Sequence, residues 1–167
     1  MAATIDLNDL IEDVKSEVNP PGTDQFATAT PAQWLSQLRN AFWETVIDGL
    51  IVGYEVDDDG IVSPTDETST TPLGRDLQQL IIYYAGIRVL KNALLNTKSM
   101  IRAKAGPVEF EQQQAATIQT GLLKEAQMRR DLWIKQLSTR GIVSVRVSDQ
   151  VLNRFNNDGF GSGYWLR

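Results

Sequence analysis

The 167-residue chain contains neither cysteine nor histidine. Without cysteine it can form no disulfide framework and no thiolate site. Without histidine it lacks the side chain that most often acts as a general base near neutral pH, and also a common metal ligand. These absences disfavour most hydrolytic and zinc chemistry, so we expect no enzymatic activity, no metal site and no cofactor.

Long apolar runs are absent as well. No stretch approaches the ~20 apolar residues of a membrane span, and the N-terminal "MAATIDLNDLIEDVKSEV" lacks the basic start and apolar run of a signal peptide. We therefore expect a soluble protein with no membrane partner. With 42% apolar and 22% charged residues, the composition fits one globular domain.

Charge is distributed unevenly along the chain. Residues 1–72 hold 14 acidic and 2 basic residues, a net charge of −12, whereas residues 73–167 hold 14 basic and 7 acidic residues, a net charge of +7. The two parts together give the overall charge of −5. An acidic end and a basic end suit head-to-tail contacts or contact with a polyanion. Solvated faces of unequal sign would explain the same pattern.

Apolar residues at helical spacing predict a mainly α fold, a small helical bundle with two long helices. Thr30 and Pro31 are typical of a helix start. The third segment is apolar around almost its full circumference and should be central to the fold. The fourth should be roughly 40 Å long. The predicted helices cover residues 6–18, 31–49, 74–97 and 112–139.

Three segments favour extended structure. "LIVGYEV" and "IVSP" flank the acidic turn "DDDG", which predicts a short β-hairpin. Val108 and Phe110 alternate with glutamates after the Gly106-Pro107 break, which indicates a short extended segment. "GIVSVRVS" predicts a strand that pairs with the hairpin or with a neighbouring subunit. We expect residues 1–140 to form a helical domain with a hairpin insertion at 50–64, and residues 141–167 to form a C-terminal strand and arm.

The acidic turn also resembles a calcium loop of the EF-hand type. The positions corresponding to one, three, five, six and twelve of that loop are Glu55, Asp57, Asp59, Gly60 and Asp66. Position one is nevertheless Glu, position twelve is not the bidentate Glu, and the flanks do not look helical. We therefore interpret this stretch as a hairpin turn in which glycine supplies the positive φ.

Four features occur in a characteristic order: Tyr84-Ala85, Asn96-Thr97, "AGPVEFE" at Ala105 to Glu111, and the long helix with "LLKEAQMRRDLWIKQL" that follows. In these features the chain resembles the head-to-tail connector (adaptor) proteins of long-tailed bacteriophages, in particular those of actinobacterial phages. The match spans residues 6–140. The resemblance implies a mainly helical protein of the virion neck that assembles in the host cytoplasm as a ring of twelve copies beneath the portal. The genome would pass through the ring, and a head-completion, stopper or tail protein would dock below it.

The C-terminal "NNDGFGSGYWLR" carries large apolar side chains on a Gly-rich segment that cannot bury them locally. Together with the resemblance, this predicts a docking arm. The predicted partner-binding residues are Phe155, Phe160, Tyr164, Trp165, Leu166 and Arg167, with Val108 and Phe110. Lys98, Arg102 and Lys104 are predicted to contact DNA in the lumen weakly and without sequence specificity. The alternatives are a non-viral helical interaction module, a weak DNA-binding module, or an enzyme that uses carboxylates alone.

Overall fold

A computed structural model describes residues 4–19, 26, 29–66, 68–103 and 107–143, and for residues 97–103 and 107–114 it describes the backbone only. The fold is mainly α, with four helices and a small three-stranded antiparallel sheet. A short 3-10 helix at Leu7–Leu10 precedes the first α-helix. In chain order the elements are β1 (Ile5–Asp6), α1 (Ile11–Val18), α2 (Pro31–Ile47), β2 (Tyr54–Val56), β3 (Ile61–Pro64), α3 (Arg75–Ala103) and α4 (Pro107–Thr139).

The N-terminal segment departs from the prediction of one helix over 6–18. Ile5 pairs with Val62 of β3, so the chain enters as a strand. Asp6 then accepts a hydrogen bond from the Asn8 backbone N–H at 2.8 Å, which caps the 3-10 helix. Because backbone pairing with β3 competes with the helical pattern, the α-helix begins only at Ile11.

Helix α2 begins where the sequence predicted. The Gln33 backbone N–H donates to the Thr30 hydroxyl at 3.3 Å, and the Thr30 backbone N–H donates to the Gln33 side chain at 2.9 Å. This reciprocal capping box, with Pro31 in the first turn, satisfies two of the amide groups that every helix start leaves free. The helix start is therefore encoded locally.

The predicted hairpin is confirmed, and its turn has a defined geometry. Asp57 N–H donates to the Ile61 carbonyl at 3.1 Å, and Gly60 N–H donates to the Asp57 carbonyl at 3.3 Å. Gly60 adopts φ 91°, the left-handed residue that closes a three-residue hairpin loop. Strand β3 lies in the middle of the sheet, between β1 and β2.

Helices α3 and α4 form a long antiparallel pair. Near the start of α3, the Asp76 carbonyl accepts a hydrogen bond from the Trp133 indole N–H at 3.0 Å, and Arg140 lies 3.9 Å from the Asp76 carboxylate. With 29 and 33 residues, the two helices are about 44 and 50 Å long. As predicted, α3 is central, because it packs against α1, α2 and α4.

The break between the two long helices is shorter than predicted. Helix α3 continues past Thr97 to Ala103, and α4 begins at Pro107 rather than 112. The prediction that Val108 and Phe110 form an extended segment is wrong, since both lie in the first turn of α4. Proline is well suited to the first position of a helix, and this preference outweighs the short alternating pattern behind it.

The end of α4 also differs from the prediction. Gly141 adopts φ 70°, and the Ile142 backbone N–H donates to the Leu137 carbonyl at 3.0 Å. These features close the helix end, and Val143 is buried in the core. Residues 142 and 143 therefore do not belong to the predicted strand, whose remaining residues lie outside the described part of the chain.

Candidate partner-binding surfaces

Most of the predicted partner-binding residues fall where the structure gives no placement. Phe155, Phe160, Tyr164, Trp165, Leu166 and Arg167, and also Lys104, lie outside the described residues. Positions 108 and 110 lie at the start of α4, and positions 98 and 102 lie in the last part of α3. Positions 98 and 102 are four residues apart and share one face of that helix.

The outer face of α4 carries an apolar stripe that the sequence analysis missed. Ile118, Met128 and Leu132 are 57%, 60% and 61% exposed. At 100° per residue they fall within an arc of about 80°, and from first to last they extend about 21 Å along the helix. Gly121 and Glu125 lie within the same arc. We call these five residues the α4 stripe.

The one charge within the α4 stripe is neutralised by a neighbour. Arg129 donates to Glu125 at 2.5 Å and to Glu17 of α1 at 3.0 Å. Both carboxylates raise the pKa of Arg129, the Glu125 hydrogen bond most strongly. The carboxylate within the stripe is therefore not an isolated charge, because it already has a cationic partner on the same helix.

Ile118 does not share the environment of the other apolar residues that recur along α4. Ala126 is 4% and Leu137 0% exposed, whereas Ile118 is 57% exposed. The signal in the sequence was a second apolar series at 118, 128 and 132, offset from the buried series. A helix with two apolar series presents one of them to the core and the other outward.

A smaller apolar surface lies at the end of α2. Trp43 and Ile47 are one helical turn apart and are 43% and 81% exposed, and Val52, in the following turn, is 79% exposed. The Trp43 ring packs edge-on against the buried Phe42 ring at 5.7 Å between centroids. Phe42 therefore holds Trp43 in place while leaving part of the indole at the surface.

A depression of about 370 Å³ lies at the C-terminal end of α4 and shares Leu132 with the stripe. Its other lining residues are Lys135, Gln136, Thr139 and Arg140. An open depression with one leucine and two cationic side chains suits an acidic or polar peptide segment better than a buried small molecule. The depression extends the α4 stripe toward the end of the helix.

A polar network joins three helices. The Tyr84 hydroxyl of α3 donates to Asp48 Oδ2, just after α2, at 2.6 Å. The Arg130 guanidinium of α4 lies 5.4 Å from the centre of the Tyr84 ring and also pairs with Asp131. Burial, followed by the hydrogen bond and charge of Asp48, raises the pKa of Tyr84. The phenol therefore stays protonated and acts as a structural donor.

The acidic turn is held by bonds within the protein. Asp57 Oδ1 accepts from the Ile61 backbone N–H at 2.8 Å, and Asp58 pairs with Arg39 at 2.6 Å. Asp66 accepts from the Thr68 hydroxyl and backbone N–H, in that order of effect, and both bonds lower the pKa of its carboxyl. Within the described residues, no three acidic side chains converge to form a metal site.

Comparison with known proteins identifies no relative. No protein-family model, no curated protein and no solved structure matches the chain. In the part of the chain that the structure describes, no helix combines the length and the apolar character needed to cross a membrane.

Proposed function

We propose that this chain is a structural assembly protein of a phage neck, a head-to-tail connector that forms a ring and has no catalytic role. The observation that carries the proposal is the α4 stripe, in which Ile118, Met128 and Leu132 are each more than half exposed. Exposed apolar side chains along one face of a rigid helix are typical of protein interaction sites.

The energetics favour burial of the stripe in an assembly. Covering one large aliphatic side chain contributes about 1.5–3 kcal/mol. Because the backbone that presents these side chains is already ordered, binding costs only the rotamer entropy of the side chains themselves. The Arg129 pairs with Glu125 and Glu17 mean that covering this surface does not bury an unpaired carboxylate.

The charge distribution supports contacts between unlike surfaces. Residues 1–72 carry the acidic excess and residues 73–167 the basic excess. A head-to-tail contact between unlike surfaces closes into a ring when its rotation permits. In this proposal the portal protein and a downstream stopper, head-completion or tail protein bind the two faces of the ring, and genomic DNA passes through it without sequence-specific contacts.

The decisive experiment measures assembly directly. Size-exclusion chromatography with light scattering should show a ring of the full-length chain, alone or on addition of a portal ring. A chain that remains monomeric under both conditions contradicts the proposal. Cryo-electron microscopy of a virion neck would then place the ring.

The C-terminal residues allow a matched test of portal docking. Truncated hot-spot residues typically cost about 2 kcal/mol or more, so Trp165→Ala should weaken portal binding at least about tenfold. Ser162→Ala is the control and should have little effect. Deletion of residues 156–167 should abolish docking and leave the thermal midpoint of the remaining protein unchanged. Loss of the fold instead would mean that these side chains belong to the core.

A weak DNA-binding module is the second candidate, and one observation favours it. Helix α3 continues through positions 98 and 102, which places two basic residues on one face. We expect any DNA affinity to be independent of sequence and to fall steeply with salt. Lys98→Ala with Arg102→Ala should reduce it, while Lys124→Ala serves as the control. A footprint on one specific DNA site that persists at physiological salt would contradict this expectation.

A further inference from the structure

The outer edge of strand β2 is open for pairing. Asp57 bonds to Ile61, Gly53 accepts from Thr65 N–H at 3.0 Å, and Glu55 lies opposite Ser63 between these pairs. Bonded and non-bonded pairs alternate in an antiparallel ladder, so Tyr54 and Val56 direct their backbone N–H and C=O groups away from β3. Among the described residues, none bonds to these four groups. They have the spacing that an added strand requires.

Other side chains around β2 fix its position. The Tyr54 hydroxyl donates to the Thr71 carbonyl at 3.3 Å, and Val56 is 8% exposed. Glu55 is exposed on the opposite face of the strand, and exposed Val52 lies just before it. An open edge with apolar residues beside it is a template for another strand, and proteins normally cover or blunt such edges.

The sequence of this same chain offers a matching strand. In "SVRVS", at 144–148, Val145 and Val147 alternate with Ser144 and Arg146. Alternation of β-branched and polar residues suits a half-buried strand, with the valines on the face of Tyr54 and Val56. Arg146 would then share the outer face with Glu55. The neighbouring turn adds the negative charges of Asp57 and Asp59, while Asp58 already pairs with Arg39, so charge favours this strand at this edge.

We propose that residues 144–148 of one copy add as a fourth strand to the β2 edge of the next copy. The inference rests on the proposed ring, and it names the contact that links its subunits. Donor and acceptor are different surfaces of the chain, so the contact is head-to-tail and repeats around a closed ring. Backbone hydrogen bonds supply most of the affinity in such strand addition, and the alternating side chains set its register.

Because the chain lacks cysteine, disulfide trapping gives an unambiguous test. Glu55→Cys chains are mixed with Arg146→Cys chains, or with Ser144→Cys chains to cover the register, and then oxidised. We expect covalent heterodimers in one of the two mixtures. In the control, Glu55→Cys chains are mixed with Ser138→Cys chains, whose cysteine lies at an exposed position of α4. This mixture should give no heterodimer above background. Thermal melts confirm that each variant is folded.

Two outcomes would overturn the inference. In the first, the mixtures give no heterodimer and the doubly substituted chain forms an intrachain disulfide at high dilution, which shows that a chain covers its own edge. In the second, no disulfide forms in any combination. If the unmodified protein still forms a ring by light scattering in either case, the ring proposal stands and only the strand contact fails. If the unmodified protein forms no ring, the proposed function itself fails.

Charge reversal provides a second readout. Glu55→Lys or Arg146→Glu alone should weaken ring assembly about two- to fivefold, as expected for an exposed cross-strand pair. The two reversals combined should restore it. Additive losses without rescue would contradict the pairing of these two positions.

Discussion

The two ends of the α3–α4 pair differ in what surrounds them. In the proximal bundle, which comprises the sheet, α1, α2, α3 up to Leu90 and α4 from Leu122, apolar side chains form one core. In the distal hairpin, residues 95–103 and 107–121, none of the side chains that the structure describes belongs to that core. At one end of the two helices the apolar side chains are packed in a core. At the other end, outward-facing apolar side chains are not covered by any residue that the structure describes.

This difference separates folding from assembly. Proximal residues such as Leu80 and Ala85 are 0% exposed, and their packing stabilises the monomer. Leu95 and Ile118 are 66% and 57% exposed, so they contribute little to the monomer and remain available to a partner. Truncation of apolar side chains in the proximal bundle should therefore lower the free energy of unfolding. Truncation of exposed apolar side chains in the distal hairpin should instead affect assembly.

The largest effect should come from two leucines on α3. Leu90 is 1% exposed and Leu95 is 66% exposed, five residues further along the same helix. Leu90→Ala should lower the free energy of unfolding by about 2–5 kcal/mol, because it leaves a cavity. Leu95→Ala should change it by no more than about 0.5 kcal/mol. Urea titrations of both variants measure the free energy of unfolding. Equal losses in the two variants would contradict the proposed boundary between the proximal bundle and the distal hairpin.

Two glycines should respond to alanine with opposite signs. Gly60 in the proximal bundle has φ 91°, and a Cβ there would lie 2.5 Å from Leu35 Cδ1. Since Leu35 can rotate, backbone strain dominates, and Gly60→Ala should cost about 1–3 kcal/mol. Gly121, in the distal hairpin, is helical with no atom within 4 Å of a Cβ. Gly121→Ala should stabilise by about 0.5–1 kcal/mol.

Thermal unfolding of the monomer measures both glycine variants. Gly49→Ala is the control, because Gly49 has φ 71° but open space around a Cβ. It isolates the backbone strain from the contact with Leu35. A Gly60→Ala variant as stable as the parent protein would contradict the strained-turn geometry.

Local signals made much of this fold predictable. The Thr30 cap, Pro31 and the glycine of the acidic turn act over three or four residues, so the sequence reveals their structure directly. The strand at Ile5 was not predictable in this way, because its pairing with Val62 joins residues far apart in the chain. The same reasoning explains the error at Val108, where the preference of Pro107 for a helix start was stronger than the alternation after it.

The candidate site was less predictable than the fold. Periodicity alone cannot say which of two apolar series on α4 faces the core, because that depends on where α1 and α3 pack. Arg129 illustrates the problem, since its bonds to Glu17 and Glu125 join two elements and neutralise the stripe. The aromatic C-terminal segment remains a prediction from composition.

An intermediate effect is expected at the centre of the proximal bundle. Tyr84→Phe removes the 2.6 Å hydrogen bond to Asp48 and should cost about 1.5 kcal/mol, as for a bond to a charged acceptor. Tyr83→Phe is the control, because the neighbouring Tyr83 packs edge-to-face against Trp133 through its ring, which the substitution retains. Unfolding free energies at neutral pH give the comparison, and an unchanged Tyr84→Phe variant would show that the bond contributes nothing.

The same residue should produce a pH dependence of known sign. Folding raises the pKa of Tyr84, so the native state holds this proton more tightly than the unfolded chain. The stabilisation is complete below the ordinary tyrosine pKa of about 10 and is lost as the pH rises above it, by up to about 1.4 kcal/mol per pH unit. The difference between wild type and Tyr84→Phe should therefore shrink above that pH in denaturant titrations. A constant difference would contradict the shift.

The smallest change in stability is expected on the α4 stripe. Ile118→Ala and Leu132→Ala each truncate a side chain that is more than half exposed, so the free energy of unfolding should change by no more than about 0.5 kcal/mol. If the stripe is an assembly surface, the same variants should weaken ring formation by about tenfold or more. Ser138→Ala, at an exposed position of α4 about 120° around the helix from the centre of the stripe, should alter neither quantity. Light scattering across a concentration series measures assembly, and thermal melts of the dilute protein measure the fold. Variants that assemble normally would show that the stripe is a solvent-facing surface, and variants that unfold would show that its side chains contribute to the stability of the monomer.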